Sequence, residues 1–343
     1  MRTTDIIRRP SSKGDAQGEA FSLRGMETPP IKEEDPERAH TLYARAKEGL
    51  EKVFTAIKEG GAFSIDHLIP FAKDFVEGIL VNPYYLLHQL YRDGLMGDLA
   101  AHSLNTSIVS IKIGIGFGLE RRALEVIATG GFLYDVGMLT IPQEIVKKPG
   151  RLSPEEYEVI KKHPENGFKI LSQLGDRYRI LAEIAYQQHE RIDGSGYPRG
   201  LKGAQIHEYA LIIGIADMYA ALIHPRPQRK RFLPFEAVKE IIATSREKFP
   251  LPIIKAMINE LSAFPIGLYV KLNSGEVGRV VGTNRLAPLR PTVEVLYDRG
   301  GQRLKEKKVV DLTRESLLRV VSAFFQEEAG DPNVKIQMSN RED

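Results

Sequence analysis

The chain of 343 residues has no cysteine. That absence excludes disulfides and thiolate metal sites, so a metal would have to sit on His, Asp or Glu. It agrees with a reducing compartment, and the expected location is cytoplasmic. A long hydrophobic run is missing as well. The longest apolar stretch, Ala210 to Ile223, is interrupted by Asp217 and is too short to span a bilayer. The opening residues, MRTTDIIRRPSSKG, are basic but lack the apolar core of a signal peptide. No membrane association is expected. Nor is there a large excess of one charge: 48 Lys and Arg face 45 Asp and Glu, a net +3. General nucleic-acid binders show a stronger basic bias, so that class is set aside. Hydrophobic residues at 42% and charged residues at 27% fit a globular chain long enough for two or three domains.

What is present divides into five stretches. Residues 1–37 are rich in Pro, Gly, Ser and charge, which predicts a disordered tail. From Ala39, the apolar residues Tyr43, Ala46, Leu50, Val53 and Ile57 recur at helical spacing, and Gly60–Gly61 ends that helix. Ile65 to Leu80 and Pro83 to Tyr91 read as two more helices. This N-terminal helical region, 38–96, is either a regulatory or dimerising module, which would make the protein a homodimer, or an extension of the domain after it. Residues 97–262 are strongly helical. After Phe264–Pro265 the period changes to alternation: Leu268, Val270 and Leu272 form one strand, Val277 to Val281 and Thr292 to Tyr297 two more. A small β domain is expected over 266–322, and a loose tail over 327–343. The predicted fold is therefore mainly α, with a small C-terminal β domain.

Five polar residues stand where helices should be apolar. Asp135 follows Leu124, Ala128 and Gly131 at steps of four, three and four. Asp217 shares a face with Ala210, Gly214 and Ala221. His102 lies on a stripe with Thr106, Val109 and Ile113, and His189 follows Leu181 and Ala185. His163 precedes Pro164, as at the start of a helix. A buried carboxylate is costly unless it is paired or bound to a metal. One such residue is ordinarily a hydrogen-bonded core group; five on separate helices fit a shared metal centre as well as they fit five unrelated core groups.

Three segments decide between these. QHERIDGSGYPRGL (188–201) closely resembles the HHExxDGxGYPxGL signature of the HD-GYP family. GFLYDVGMLTIPQEIVKKPGRLSPEEYEVIKKHPENG (131–167) resembles that family's HD-containing segment, and IADMYAALIHPRPQRK (215–230) its third segment. The resemblance covers about 165 residues in order. It implies a helical HD-superfamily fold, a bi- or trinuclear centre, often of iron or manganese, and hydrolysis of cyclic di-GMP. It also implies that His102, Asp135, His163, His189 and Asp217 are the metal ligands, with Asp135 bridging two ions. Asp98, one turn before His102, matches a position where some members carry a Glu for a third metal. Two close metals clamp a phosphodiester and make hydroxide available at neutral pH.

The departures fall on the chemistry. The His of the HD pair is Tyr134, the first His of the HH pair is Gln188, the Lys after the DxG step is Met138, and the second Asp of the third segment is Ala220. By the family's pattern each ion loses one ligand: one keeps His102, Asp135 and Asp217, the other Asp135, His163 and His189. Three protein ligands can hold a metal when water completes the shell. Gln is a weak neutral donor, however, and Tyr binds most metals only as phenolate. Losing the Lys removes a charge that would face phosphate, a loss that can cost about a hundredfold in rate. The ligand-facing parts stand. Gly196, Tyr197 and Pro198 belong to a rigid loop that the family uses at the substrate and against partner signalling domains. Arg226, Arg229 and Lys230 match positions that contact the dinucleotide, and guanidinium groups suit phosphate. The chain therefore reads first as a degenerate HD-GYP protein that senses cyclic di-GMP or a related dinucleotide. The second reading is an active phosphodiesterase with a reduced metal site, and the third an interaction scaffold.

Overall fold

The computed structural model describes residues 35–91, 98–224, 231–261, 263–284 and 287–324. Both expected tails fall wholly or almost wholly outside these residues, as do Arg226, Arg229 and Lys230. Eleven helices come first among the described residues, followed by five strands.

Helix α1 (Asp35–Lys58) buries Ala39, Tyr43, Ala46, Leu50 and Val53 on one stripe. Alternating steps of four and three keep that stripe on one face. Helix α2 (Ile69–Val81) comes after a short 3-10 turn. The expected third helix, Pro83 to Tyr91, does not form over its first half. The Asn82 side chain accepts the Tyr84 N–H and its carbonyl accepts the Tyr85 N–H, which makes a turn, and only Leu87–Tyr91 winds as a 3-10 helix.

Helix α3 (Leu99–Phe117) is the axis of the molecule and is buried over most of its length. Asp98 caps it, accepting the Ala101 N–H at 3.0 Å. Helices α4 (Arg121–Leu133), α9 (Glu208–Ile223) and α11 (Leu251–Glu260) pack around it. Short α5 (Gln143–Val146) and α6 (Pro154–Ile160) lead into α7 (His163–Ser172), which packs on α8 (Arg179–Gln187) and on the turn Val136–Thr140. That last contact requires a glycine: a Cβ on Gly137 would lie 1.9 Å from the His163 carbonyl oxygen. Helix α10 (Pro234–Ser245) lies against α9.

One hydrophobic core runs from Ala39 on α1 to Leu261 after α11, so α1 and α2 share the core of the later helices. Among the described residues, one helical stretch, Arg121–Thr140, is long and apolar enough by composition to cross a bilayer; most of it is buried in this core. The strands β1 (Tyr269–Leu272), β2 (Val277–Gly282), β3 (Thr292–Tyr297), β4 (Arg303–Asp311) and β5 (Val320–Phe324) form an antiparallel sheet in the order β4-β3-β2-β1-β5. Its own core of Phe264, Val270, Leu272, Val280, Val293 and Val295 takes in Leu233 and Phe235 from the start of α10.

Candidate metal centre

The side chains in question sit at helix ends. Tyr134 and Asp135 close α4, His163 opens α7, and Gln188 and His189 come directly after α8. The carbonyl ends of α4 and α8 thus lie at the site, where their partial negative charge favours a cation. His102 comes from the first turn of α3, Asp217 from the middle of α9.

Asp135, His163 and His189 converge, with one ligand atom from each lying within 4.8 Å of the others. His163 Nδ1 is 2.8 Å from the Ile160 carbonyl oxygen, which places the ring proton there and leaves Nε2 as a lone pair. That lone pair faces Asp135 Oδ1 at 3.1 Å. The ring proton is therefore not between them, and the buried Asp135 Oδ1 has no hydrogen-bond donor from a neighbouring group. Burial, and then the Asp217 charge, push the Asp135 carboxyl well above the usual carboxylate range. Burial also holds His163 down to about 4, and burial together with His163 holds His189 down to about 3. Both imidazoles are thus neutral, the form that binds metal. The Gln188 amide nitrogen sits 3.1 Å from His163 Nε2, while its buried Oε1 has no donor. Facing lone pairs, an orphaned carboxylate oxygen and a second neutral imidazole fit a divalent cation.

His102 and Asp217 are arranged differently. His102 Nε2 lies 2.8 Å from Asp217 Oδ1, and the Tyr134 hydroxyl donates to the same oxygen at 2.7 Å. Thr106 Oγ1 is 3.3 Å from that hydroxyl. Burial, then the charges of Asp217 and Asp135, raise the Tyr134 phenol well above its ordinary range, so it remains a donor. Burial would raise Asp217 too, but the hydrogen bond and charge of His102, with His189 and Tyr134 behind them, hold it low and ionised. Met138 is half-buried three residues beyond Asp135, its N–H on the Asp135 carbonyl, and Ala220 is fully buried on α9.

The loop after α8 walls the site. Buried Glu190 accepts the backbone N–H groups of Arg199 and Leu201, each at 2.8 Å, and so ties both ends of the turn to its own position. A Cβ on Gly196 would lie 2.4 Å from Glu190 Cα and 2.5 Å from the His189 carbonyl oxygen, so only glycine fits. The Tyr197 ring stacks on His189 with centroids 4.6 Å apart, and its peptide bond to Pro198 is cis. Lys161 Nζ lies 5.8 Å from the Tyr197 ring centre, a positive charge at the rim.

Comparison with known proteins bears on the family and the fold. Residues 100–250 match the family described as HD domain, and residues 269–331 that described as KOW domain associated with HD domain. Cyclic di-GMP phosphodiesterase PA4108 from Pseudomonas aeruginosa is 27% identical over 297 residues, covering 87% of this chain and 72% of that protein. Cyclic di-GMP phosphodiesterase PdeB from Borreliella burgdorferi is 30% identical over 64% of this chain and 56% of its own length. A cyclic di-GMP phosphodiesterase from Thermotoga maritima is 37% identical over 53% of this chain and 50% of its own. Residues 100–250 carry an HD domain. In fold, the solved structure of Bd1817, a HDG"Y"P protein from Bdellovibrio bacteriovorus, superposes with a TM-score of 0.53 at 20% identity, covering 69% of this chain and 74% of that one. The chain spans little more than half the length of the PdeB and Thermotoga relatives.

Within this HD domain the five residues expected as ligands lie in two adjoining groups rather than one ring. Asp135, His163 and His189 converge; His102 and Asp217 pair with each other and with Tyr134. Three participants escape a reading of the sequence. Glu190 is visible as a charged residue amid the QHE string, and a loop so rich in backbone N–H groups needs an acceptor. Lys161 carries no signal. Lys47 on α1 carries none either: its ammonium lies 2.8 Å from Asp98 Oδ2, across 51 residues of chain.

Proposed function

We propose that the chain is a regulator that binds cyclic di-GMP or a related cyclic dinucleotide and hydrolyses it slowly or not at all. The observation that carries this reading is the Tyr134 hydroxyl seated on Asp217. In the HD pair that position is a His able to give a lone pair to a cation; here a neutral donor occupies it. The ligand class is that named for the relatives. Contact through Gly196, Tyr197 and Pro198, and through Arg226, Arg229 and Lys230, belongs to the proposal.

A divalent ion, iron or manganese, held by Asp135, His163 and His189 would polarise a phosphoryl oxygen and acidify a bound water. The remaining contributions come from the chain. Neutral His163 keeps its Nε2 lone pair directed into the site because Ile160 holds its other nitrogen. Tyr197, stacked on His189 and with the Lys161 ammonium 5.8 Å from its centre, would bring an aromatic ring and a positive charge to a nucleotide. Asp217 Oδ1 already accepts the His102 and Tyr134 hydrogens, so that oxygen is withdrawn from an attacking water. Met138 brings no charge to a leaving oxygen, whereas Lys would.

The test is a calorimetric titration of manganese-loaded protein with cyclic di-GMP, run beside a chromatographic assay of its linear product. Expected are saturable binding and turnover at least about a hundredfold below an HD-GYP phosphodiesterase assayed in parallel. Brisk hydrolysis that His189→Ala abolishes would favour instead a working phosphodiesterase with a reduced centre, a reading supported by the convergence of Asp135, His163 and His189. Absence of binding would leave an interaction scaffold.

A further inference from the structure

We infer that this chain holds one metal ion, at Asp135, His163 and His189, and that the Tyr134 phenol stands where a second ion would. The inference deepens the degenerate-centre reading and rests on it for the kind of site.

The hydrogen inventory of the two groups differs. Between His163 Nε2 and Asp135 Oδ1, 3.1 Å apart, the imidazole supplies no hydrogen, because its ring proton is engaged at Ile160, and the Gln188 amide nitrogen, 3.1 Å from Nε2, is the donor the chain sets beside that lone pair. With Asp135 ionised the two lone pairs repel, and a proton on the carboxyl or a cation between the two atoms relieves the repulsion. The carboxylate oxygen there is buried and has no donor, and so is Gln188 Oε1 beside it. In the neighbouring group every facing pair already has its hydrogen. Asp217 Oδ1 takes one from His102 at 2.8 Å and one from Tyr134 at 2.7 Å. Such charge-assisted bonds are the strong ones, and they satisfy Asp217 Oδ1 without an ion. A cation binding at Oδ1 would have to displace both hydrogens, and it would meet a neutral phenol where the family's pattern has a His lone pair.

Asp98, at the third-metal position, is also committed. Oδ1 caps α3 through the Ala101 N–H, and Oδ2 pairs with the Lys47 ammonium at 2.8 Å. The anchor is reinforced one turn earlier on α1, where the Tyr43 hydroxyl lies 2.9 Å from Asn105 Oδ1. Helix α1 thus sets an organic cation beside the start of the helix that carries His102. Two of the three positions are closed by donors belonging to the chain, one from its N-terminal helix.

The test is to count metal on the full chain. Protein is stripped with chelator, reloaded with excess Mn2+, desalted and assayed by mass spectrometry of metal against protein. About one ion per chain is expected. His189→Gln, checked for fold by circular dichroism, should bring the count near zero, and His102→Ala should leave it near one. Tyr134→His should raise it to about two. A count of two or more, or of none, in the unmodified chain would overturn the inference, as would loss of the ion in His102→Ala. The two readings fail separately. Two ions with dinucleotide binding and no turnover would sink the single-ion claim alone, while one ion with brisk turnover would sink the regulator alone.

Discussion

At the scale of single residues, the buried Glu190 carboxylate decides where the GYP loop sits. It accepts two backbone N–H groups that no helix or strand could satisfy at that turn. Glu190→Gln keeps the shape but turns one acceptor into a donor facing a donor. We expect a loss of about 1–3 kcal/mol in urea unfolding, with faster amide exchange confined mainly to residues 194–201. Unchanged exchange in that loop would mean that Gly196 packing alone positions it. The same hydrogen-bond bookkeeping explains what is legible in the sequence. Asp135 and Asp217 stand out because a carboxylate on an apolar stripe needs a partner. The identity of the partner is not encoded in spacing. That Asp217 faces Tyr134 and His102, while Asp135 faces His163, depends on where α9 crosses α3 to within an ångström or so.

At the scale of elements, α3 is held from two sides by charge. Lys47 on α1 meets its cap, Asp98, and Lys112 in its middle faces Glu260 on α11 at 3.8 Å, both side chains nearly fully buried. Lys112 also donates to the Pro83 carbonyl at 3.1 Å, so the turn before α3 shares the same ammonium. Breaking a buried pair from one side costs more than the pair contributes, because the surviving charge stays desolvated. Lys112→Met should therefore destabilise by about 3–5 kcal/mol in denaturant melts, and adding Glu260→Leu should recover much of that loss. If the double variant is no better than the single one, the cost lies in the Pro83 contact instead. Elements are legible where one physical signal dominates. The stripe on α1 and the alternation in β1 and β3 each announce a single buried face. The turn at Pro83 reads as helix because its apolar residues mask the Asn82 cap. Strand β4 has no alternation to read: RLKEKKVVD is an edge strand whose charges keep it from pairing further.

At the scale of the molecule, the core from α1 to Leu261 is continuous, and the helices whose ends carry Asp135, His163 and His189 are built into it rather than hung on its surface. The sheet has a separate core joined through Leu233 and Phe235, and the Tyr84 hydroxyl hydrogen-bonds Thr283 at the same junction. An ion binding only the folded chain stabilises it by mass action, by about 2.7 kcal/mol at a hundredfold excess over its dissociation constant. Because Asp135, His163 and His189 come from the ends of α4, α7 and α8, that stabilisation should reach the whole helical core. We expect Mn2+ to raise the melting temperature of the helical signal by several degrees, chelator to reverse the rise, and His189→Gln to abolish it. The unfolding of the sheet, followed by amide exchange over residues 269–324, should move less, since its core is separate from that of the helices. A metal-dependent rise equal in both signals would instead mean that the two cores unfold as one unit, and that an ion in the helices steadies the KOW sheet as firmly as its own domain.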